Sequence, residues 1–287
     1  MAEKINQVGI YLNLQKPESK ELAQNCIETL QALDFSVCLL EGQLICDDQQ
    51  VIVYKKELFF KKPDCILVLG GDGTLLYVAR QTCFNRIPIF GINLGKLGFL
   101  TESEASSYKD ALNQLNNGNY YIEERMMLGC MVRKNGVTSK TYVALNDVLV
   151  KSRGFRMMDI QAYASGSRID SFRADGLIIA TATGSTGYSL AAGGPVVSPR
   201  ARVMVLNPIC PHRLHDRSYV LSEDEEITLK FGNREKDIML TFDGQTTLSL
   251  TPEDEVEVFK SVYTTKLIRL NQISYFDRLR IKLCSEN

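Results

Sequence analysis

The sequence predicts an α/β domain followed by an antiparallel β domain. Three observations carry this. Strand and helix patterns alternate up to about residue 101, short alternating apolar segments separated by turn residues follow, and two glycine-rich loops come directly after apolar runs in the first part. Strands separated by helical segments imply a parallel sheet with crossover helices. Short strands at regular spacing with turn signals imply an antiparallel domain.

Val8-Gly9-Ile10-Tyr11-Leu12 reads as the first strand. Ser19 is placed to cap a helix running to about Leu33, with Leu22, Ile27 and Leu30 on its apolar side. Residues 35–40 read as the second strand, 66–69 as the third and 87–92 as the fourth. A helix over 107–116 ends at Asn117-Gly118. Then come the short segments 128–133, 142–150, 159–164, 177–180, 227–231, 238–242 and 256–263, with turns such as Lys134-Asn135-Gly136 and Phe242-Asp243-Gly244 between them. Residues 188–192 read as a short helix after a Gly/Ser/Thr turn. Periodicity alone leaves the tail, 267–283, unassigned to either domain.

With 287 residues the chain can bury one large core or two smaller ones. A net charge of −1 gives no basic surface for nucleic acid or anionic lipid, so neither is expected as a partner. No apolar run approaches the ~20 residues of a membrane span, and Met1-Ala2-Glu3-Lys4-Ile5-Asn6 lacks the apolar core of a signal peptide. Eight cysteines stand at 26, 38, 46, 65, 83, 130, 210 and 284 with no Cys-x-x-Cys among them. That scatter fits reduced core thiols in a cytoplasmic protein.

The strongest chemical signal is Gly70-Gly71-Asp72-Gly73-Thr74, directly after the apolar run 66–69 and before Leu75, Val78, Ala79 and Thr82 at helical spacing. This is a strand-to-helix turn at the carboxyl edge of a sheet, where α/β folds bind ligands. Glycines let backbone approach a ligand closely, and N–H groups at a helix start favour phosphate. An aspartate there repels phosphate, so it is expected to take a proton or share the site with a cation. The plainer alternative is a tight turn in which Asp72 caps the helix.

Other segments stand out less. Asn146-Asp147 interrupts an apolar stretch, where adjacent polar side chains are costly unless satisfied. The pair suits the hydroxyls of a ribose, or a β-turn or bulge. The stretch from Arg173 and Asp175 to Ser189 joins a charged pair, a strand and a hydroxyl-rich glycine turn that offers donors to a polar ligand. Asp243-Gly244-Gln245 reads as a hairpin turn. Cys210-Pro211-His212-Arg213-Leu214-His215-Asp216 holds both histidines of the chain, but zinc needs a further ligand pair that the sequence does not offer, so no metal site is expected. No Gly-x-Ser-x-Gly elbow supports a hydrolase.

In chain order, the motifs are Gly70-Gly71-Asp72-Gly73-Thr74, Gly91-Ile92-Asn93-Leu94-Gly95-Lys96-Leu97-Gly98-Phe99-Leu100-Thr101, Asn146-Asp147, the run from Asp175 through Thr181-Ala182-Thr183-Gly184-Ser185-Thr186-Gly187-Tyr188-Ser189, Ala192-Gly193-Gly194-Pro195, Asn207-Pro208 and Phe242-Asp243-Gly244-Gln245. Over about residues 60–250 this series resembles the NAD kinase family. The Gly-Gly-Asp-Gly element alone is shared with diacylglycerol-type lipid kinases and 6-phosphofructokinases; the Thr-x-Thr-Gly-Ser-Thr-x-Tyr run with Asn-Asp is more specific. Ala182 stands where the family commonly has proline, Gly187 where it has alanine and Asp147 where it has glutamate. None of these removes a reacting group.

The resemblance implies transfer of a phosphoryl group from ATP, or another donor, to the 2′-hydroxyl of the adenosine ribose of NAD, giving NADP. It implies Mg²⁺ or another divalent cation with the triphosphate. The fold it implies is a Rossmann-like α/β domain over 1–101 and about 266–287, and a β-sandwich over 102–265. Asp72 becomes the proton acceptor, and Gly70, Gly71, Gly73 and Thr74 the phosphate loop. Gly73 also gives the dinucleotide close backbone access. Asn146 and Asp147 become ribose and adenine contacts. Thr183, Thr186, Gly187, Tyr188, Ser189 and Ala191 form a pocket wall, and Gln245 adds a contact from the hairpin. Arg173 and Asp175 fall near the nicotinamide end, partly across a subunit boundary, so a homo-oligomer, dimer or tetramer, is implied. Two alternatives remain: a lipid kinase, which needs an apolar groove or basic patch, and a non-catalytic dinucleotide sensor, against which an intact Asp72 argues.

Overall fold

The computed structural model describes residues 4–43, 48–134, 136–154, 156–213, 216–233, 235, 237–270 and 273–284. Cys46, Asn135, Leu214, His215 and the side chain of Cys284 lie outside the described residues. The chain forms two compact units, Met1–Glu124 with Thr265–Asn287, and Arg125–Thr264.

The first unit begins with β1 (Gln7–Leu12), α1 (Glu18–Ala32), β2 (Ser36–Leu40), β3 (Ile52–Tyr54), α2 (Lys56–Phe59), β4 (Cys65–Gly70), α3 (Asp72–Thr82) and β5 (Ile89–Asn93). It continues with β6 (Ser103–Glu104) and α4 (Tyr108–Asn116). The sheet order is β3-β2-β1-β4-β5, with every pair parallel, as the alternation of strand and helix requires. Every residue of β4 is buried, which explains its unbroken apolar run. The helix α1 buries Leu22, Ala23, Cys26, Ile27 and Leu30 along one stripe. Its cap differs from expectation: Pro17 holds the N-cap position, and Ser19 lies within the first turn. The Ser19 hydroxyl turns back to the carbonyls of Asn13 and Lys16, at 2.8 and 2.7 Å. Strand β3 was not anticipated, because Ile52 and Val53 are exposed at the sheet edge and leave no burial pattern to read.

Helix α4 buries Ala111, Leu112 and Leu115 in this same core. The compact unit therefore runs on to Glu124, beyond the boundary expected at 101.

The second unit holds β7 (Tyr121–Lys134, its first residues in the first unit), β8 (Val137–Thr138), β9 (Tyr142–Ala144), β10 (Asp147–Ser152), β11 (Met158–Ala164), β12 (Ser167–Ala174) and β13 (Gly176–Thr181). It continues with α5 (Tyr188–Ala191), β14 (Val203–Ile209), β15 (Tyr219–Ser222), β16 (Ile227–Phe231), β17 (Ile238–Phe242), β18 (Thr246–Leu250) and β19 (Glu255–Arg269), whose last residues belong to the first unit. One antiparallel sheet runs β15-β14-β13-β10-β17-β18 and another runs β12-β11-β16-β19. Val148, Leu177 and Leu240 of one sheet share a core with Ile160, Leu229 and Val256 of the other, which makes a β-sandwich. The expected segment 142–150 is two strands, broken at Leu145 and Asn146.

The tail returns to the first unit. Leu267 of β19 pairs in parallel with Ile89 of β5, and α6 (Tyr275–Cys284) follows.

Candidate active site

In the first unit, β4 ends at Gly70 and α3 begins at Asp72, with Gly71 as its N-cap. Asp72 does not cap its own helix. Its Oδ2 accepts the Phe99 N–H at 2.8 Å, and its Oδ1 accepts those of Leu100 and Thr101 at 3.2 and 3.3 Å. The donors belong to the second glycine-rich loop, so the two motifs meet at this carboxylate. The loop passes so close that a Cβ on Gly98 would lie 2.0 Å from Asp72 Oδ1. Asn93 and Thr101 brace it: Asn93 Oδ1 accepts the Gly95 N–H at 3.0 Å and Thr101 Oγ1 accepts that of Gly98 at 2.9 Å.

The glycines of the first loop are of two kinds. A Cβ on Gly70 would lie 2.5 Å from Thr74 Oγ1, so packing demands glycine there. A Cβ on Gly73 would meet nothing within 4 Å. The space on the Cβ side of Gly73 is therefore open, and packing there does not demand glycine. Gly71, Gly73 and Thr74 border a cleft of about 480 Å³ with Asn13, Lys16 and Tyr77.

Sequence reasoning missed the support behind this loop. Arg269, Arg278 and Glu102 are buried together, with Glu102 Oε2 3.0 Å from Arg269 and 2.7 Å from Arg278. Burial pushes the Glu102 carboxyl up from its ordinary range, against the pull of the two guanidiniums. Arginines near a chain end read as surface charge; only the return of the tail buries them.

In the second unit, Asp243 plays a similar geometric part. The hairpin between β17 and β18 turns through Asp243 and Gly244 at φ 50° and 66°, the left-handed geometry such turns need. The Asp243 carboxylate accepts the N–H groups of Leu145, Asn146 and Asp147 at 3.0, 2.7 and 3.2 Å. It thus closes the break between β9 and β10. Burial, and then the neighbouring Asp243 charge, push the Asp147 carboxyl up to about 7. The Asn146 Oδ1 is buried with no hydrogen-bond partner among the described residues.

The hydroxyl-rich turn sits against the same residues. Thr181 N–H donates to the Asn146 carbonyl at 2.8 Å, and a Cβ on Gly184 would lie 2.0 Å from that carbonyl oxygen. The side chain of Asn146 lies 3.4 Å from the Cβ position of Gly187. Arg125, buried and not anticipated, donates to Thr183 Oγ1 at 3.1 Å, and Thr186 Oγ1 donates to the Thr183 carbonyl at 3.2 Å. Tyr188, Ala191 and Gln245 are exposed, and Ser189 is buried with its hydroxyl unpartnered among the described residues.

Arg173 and Asp175 are not brought to this edge. They flank the start of β13, whereas the turn with Thr183 and Gly187 follows its end. Six strand residues at about 3.3 Å each put roughly 20 Å between the two ends. In the Cys210 segment, Arg213 is paired with Asp170 and Asp216, both at 2.9 Å.

The ATP-NAD kinase N-terminal domain model matches residues 8–120, and the ATP-NAD kinase C-terminal domain model matches 145–270. The chain is 39% identical to an NAD kinase of Natranaerobius thermophilus over 97% of its own length and 98% of that protein's. It is 40% identical to an NAD kinase of Moorella thermoacetica over 97% of its length and 89% of that protein's. A crystal structure of an NAD kinase from Archaeoglobus fulgidus in complex with ATP is similar at TM-score 0.78 and 26% identity, covering 98% of this chain and all of that one. The fold is shared with yeast NADH kinase complexed with NADH, at TM-score 0.88 and 24% identity, over 100% of this chain and 89% of that one. None of these matches favours a lipid kinase or a sensor.

Proposed function

The chain belongs to the NAD kinase family, phosphotransferases acting on NAD, and on that premise we propose that Asp72 takes the proton of the adenosine-ribose 2′-hydroxyl as that oxygen attacks the γ-phosphorus of ATP. The new P–O bond forms to the ribose, the bridging P–O bond to ADP breaks, and NADP and ADP leave. The observation that carries this role is the Asp72 carboxylate, aimed by three backbone N–H groups next to Gly73, whose Cβ direction is open. A carboxylate has about four acceptor sites, and three are used, so one remains for the hydroxyl. A secondary alcohol is a poor nucleophile, and a placed base helps it. The rest of the catalysis is positioning and charge neutralisation, supplied by Gly70, Gly71, Gly73 and Thr74 at the start of α3. Mg²⁺ enters with the triphosphate as part of the substrate.

The Asn146–Asp147 edge binds the dinucleotide in this reading. A buried acceptor without a partner, as at Asn146 Oδ1, calls for a donor such as a ribose hydroxyl. Thr183, Thr186, Gly187, Tyr188, Ser189, Ala191 and Gln245 complete the pocket wall. Arg173 and Asp175 reach the nicotinamide end from a second copy of the chain, which their distance along β13 from Thr183 supports. Buried free thiols at Cys26, Cys38, Cys65, Cys83 and Cys130 support a cytoplasmic location.

The test is purified protein with NAD, ATP and Mg²⁺, coupled to an NADP-specific dehydrogenase. 2′-Deoxy-NAD should be inert yet compete with NAD. Turnover of the deoxy substrate would reject the role of Asp72 at the 2′-hydroxyl.

A further inference from the structure

The loop that holds Asp72 is gripped from its other side by the tail. Arg269 donates to the carbonyls of Leu100 and Phe99, at 2.9 and 3.4 Å, and Arg278 donates to that of Thr101 at 2.5 Å. Glu102 Oε2 joins the two guanidiniums, and its Oε1 accepts the Leu270 N–H at 3.1 Å. Arg269 Nε also donates to Glu123 at 2.8 Å. Arg269 and Arg278 are each 5% exposed and Glu102 is 2% exposed.

Carbonyl and N–H of one peptide point opposite ways in one rigid plane. The peptide joining Phe99 to Leu100 gives its carbonyl to Arg269 and its N–H to Asp72. The next peptide does the same through the Leu100 carbonyl and the Thr101 N–H. Two peptide dipoles therefore lie head-on between a buried guanidinium and the Asp72 carboxylate, and hydrogen bonds in such a chain polarise one another. Turning either plane moves the donor at Asp72.

We propose that Arg269, held by Glu102 and through it by Arg278, is a positioning residue for phosphoryl transfer, acting through the Phe99–Leu100 and Leu100–Thr101 peptides to aim the Asp72 carboxylate. This rests on the reading of Asp72 as proton acceptor. A tail that is only fastened would use the same ion pairs, and buried ion pairs are weak grounds for any role in stability, so the test must separate the two.

Arg269→Lys and Arg269→Gln are made alone and in an Asp72→Asn background, with melting temperatures recorded. Lysine keeps the charge but not the fork that spans the Leu100 and Phe99 carbonyls. A misplacement of about 1 Å costs as much as 10²-fold. The expected result is a kcat lower by roughly 10–100-fold for Arg269→Gln, a smaller loss for Arg269→Lys, and KM values for NAD and ATP within about twofold of the parent. In the Asp72→Asn background, assayed at high enzyme concentration, Arg269→Gln should cost less than about twofold more, because its path to the reaction is already cut. An equal loss in both backgrounds, a raised KM with unchanged kcat, an unchanged kcat, or failure of both variants to fold would overturn the proposal. Near-normal kcat in Asp72→Asn itself would instead sink the role of Asp72, whatever the Arg269 variants do.

Discussion

In each unit a carboxylate gathers three consecutive N–H groups from a distant loop: Asp72 from Phe99, Leu100 and Thr101, and Asp243 from Leu145, Asn146 and Asp147. The motif is the same and the surroundings differ. Asp72 is half-buried, beside a glycine whose Cβ direction is open and a cleft of about 480 Å³. Asp243 is buried and stands next to a second carboxyl, Asp147, whose proton affinity is raised by burial and then by the Asp243 charge. A trio of N–H donors therefore orients a carboxylate without assigning it chemistry. On the proposed reading access separates the two: the reachable one takes part in the reaction, and the enclosed one shapes the residues that bind.

The contrast breaks first at Asp72→Asn. Loss of a general base costs roughly 10²–10⁴-fold in rate, and kcat should fall at least that far while NAD still binds. Asparagine also turns a donor amide toward backbone donors, so a loss of about 1–3 kcal/mol in stability is expected alongside. Steady-state kinetics with a denaturant titration reads both. Near-normal kcat in a folded protein would make the two carboxylates alike.

A pH titration of stability tests the enclosed site. The Asp147 carboxyl is raised from 3.8 to about 7. Between those values the unfolded chain has released the proton and the folded chain keeps it. Stability therefore falls as pH rises from about 4 to about 7, and the cost is complete above 7. At about 1.4 kcal/mol per unit the span is about 4 kcal/mol. Asp147→Asn should flatten this part of the curve, and an unchanged curve would remove the coupling from the picture.

Asp243→Asn should act on binding and fold rather than on the chemical step. Leaving buried N–H groups without an acceptor costs about 1–3 kcal/mol. The KM for NAD should rise more than the KM for ATP, with kcat the least affected. A fall in kcat matching that of Asp72→Asn would erase the distinction drawn above.

The smallest expected change is the stability of Gly73→Ala. Its Cβ meets nothing within 4 Å, so the melting temperature should stay within the equivalent of about 0.5 kcal/mol. Gly98→Ala, aimed at Asp72 Oδ1, should not be so tolerated. If activity survives Gly73→Ala intact, the open space beside it is not where the dinucleotide passes.

Much of this was legible along the chain. The buried run of β4, the helix stripe of Leu22, Ile27 and Leu30, and the strands Ile227–Phe231 and Ile238–Phe242 follow from periodicity, because burial on one or both faces dictates apolar spacing. The Gly-Gly-Asp-Gly-Thr turn, Asn146-Asp147 and the 181–189 run were visible as polar interruptions that packing alone does not favour. Strands β3 and β12 were hidden because Ile52, Val53, Ser167 and Arg168 stand at exposed positions where no burial constrains the residue.

What the sequence by itself determined is the class of each unit, the elements with clear apolar spacing and the segments that carry chemistry, since these rest on contacts between near neighbours and on the spacing of apolar residues. Only the tertiary structure decided who holds whom. Ser19 caps nothing because the carbonyls of Asn13 and Lys16 lie within reach. Asp72 faces the loop of Gly98 rather than its own helix, Asp243 closes on Asn146 from 97 residues away, and Arg278 meets the Thr101 carbonyl from 177. Hydrogen bonds across such separations leave no periodic trace, because each partner satisfies its valence in space and not along the chain.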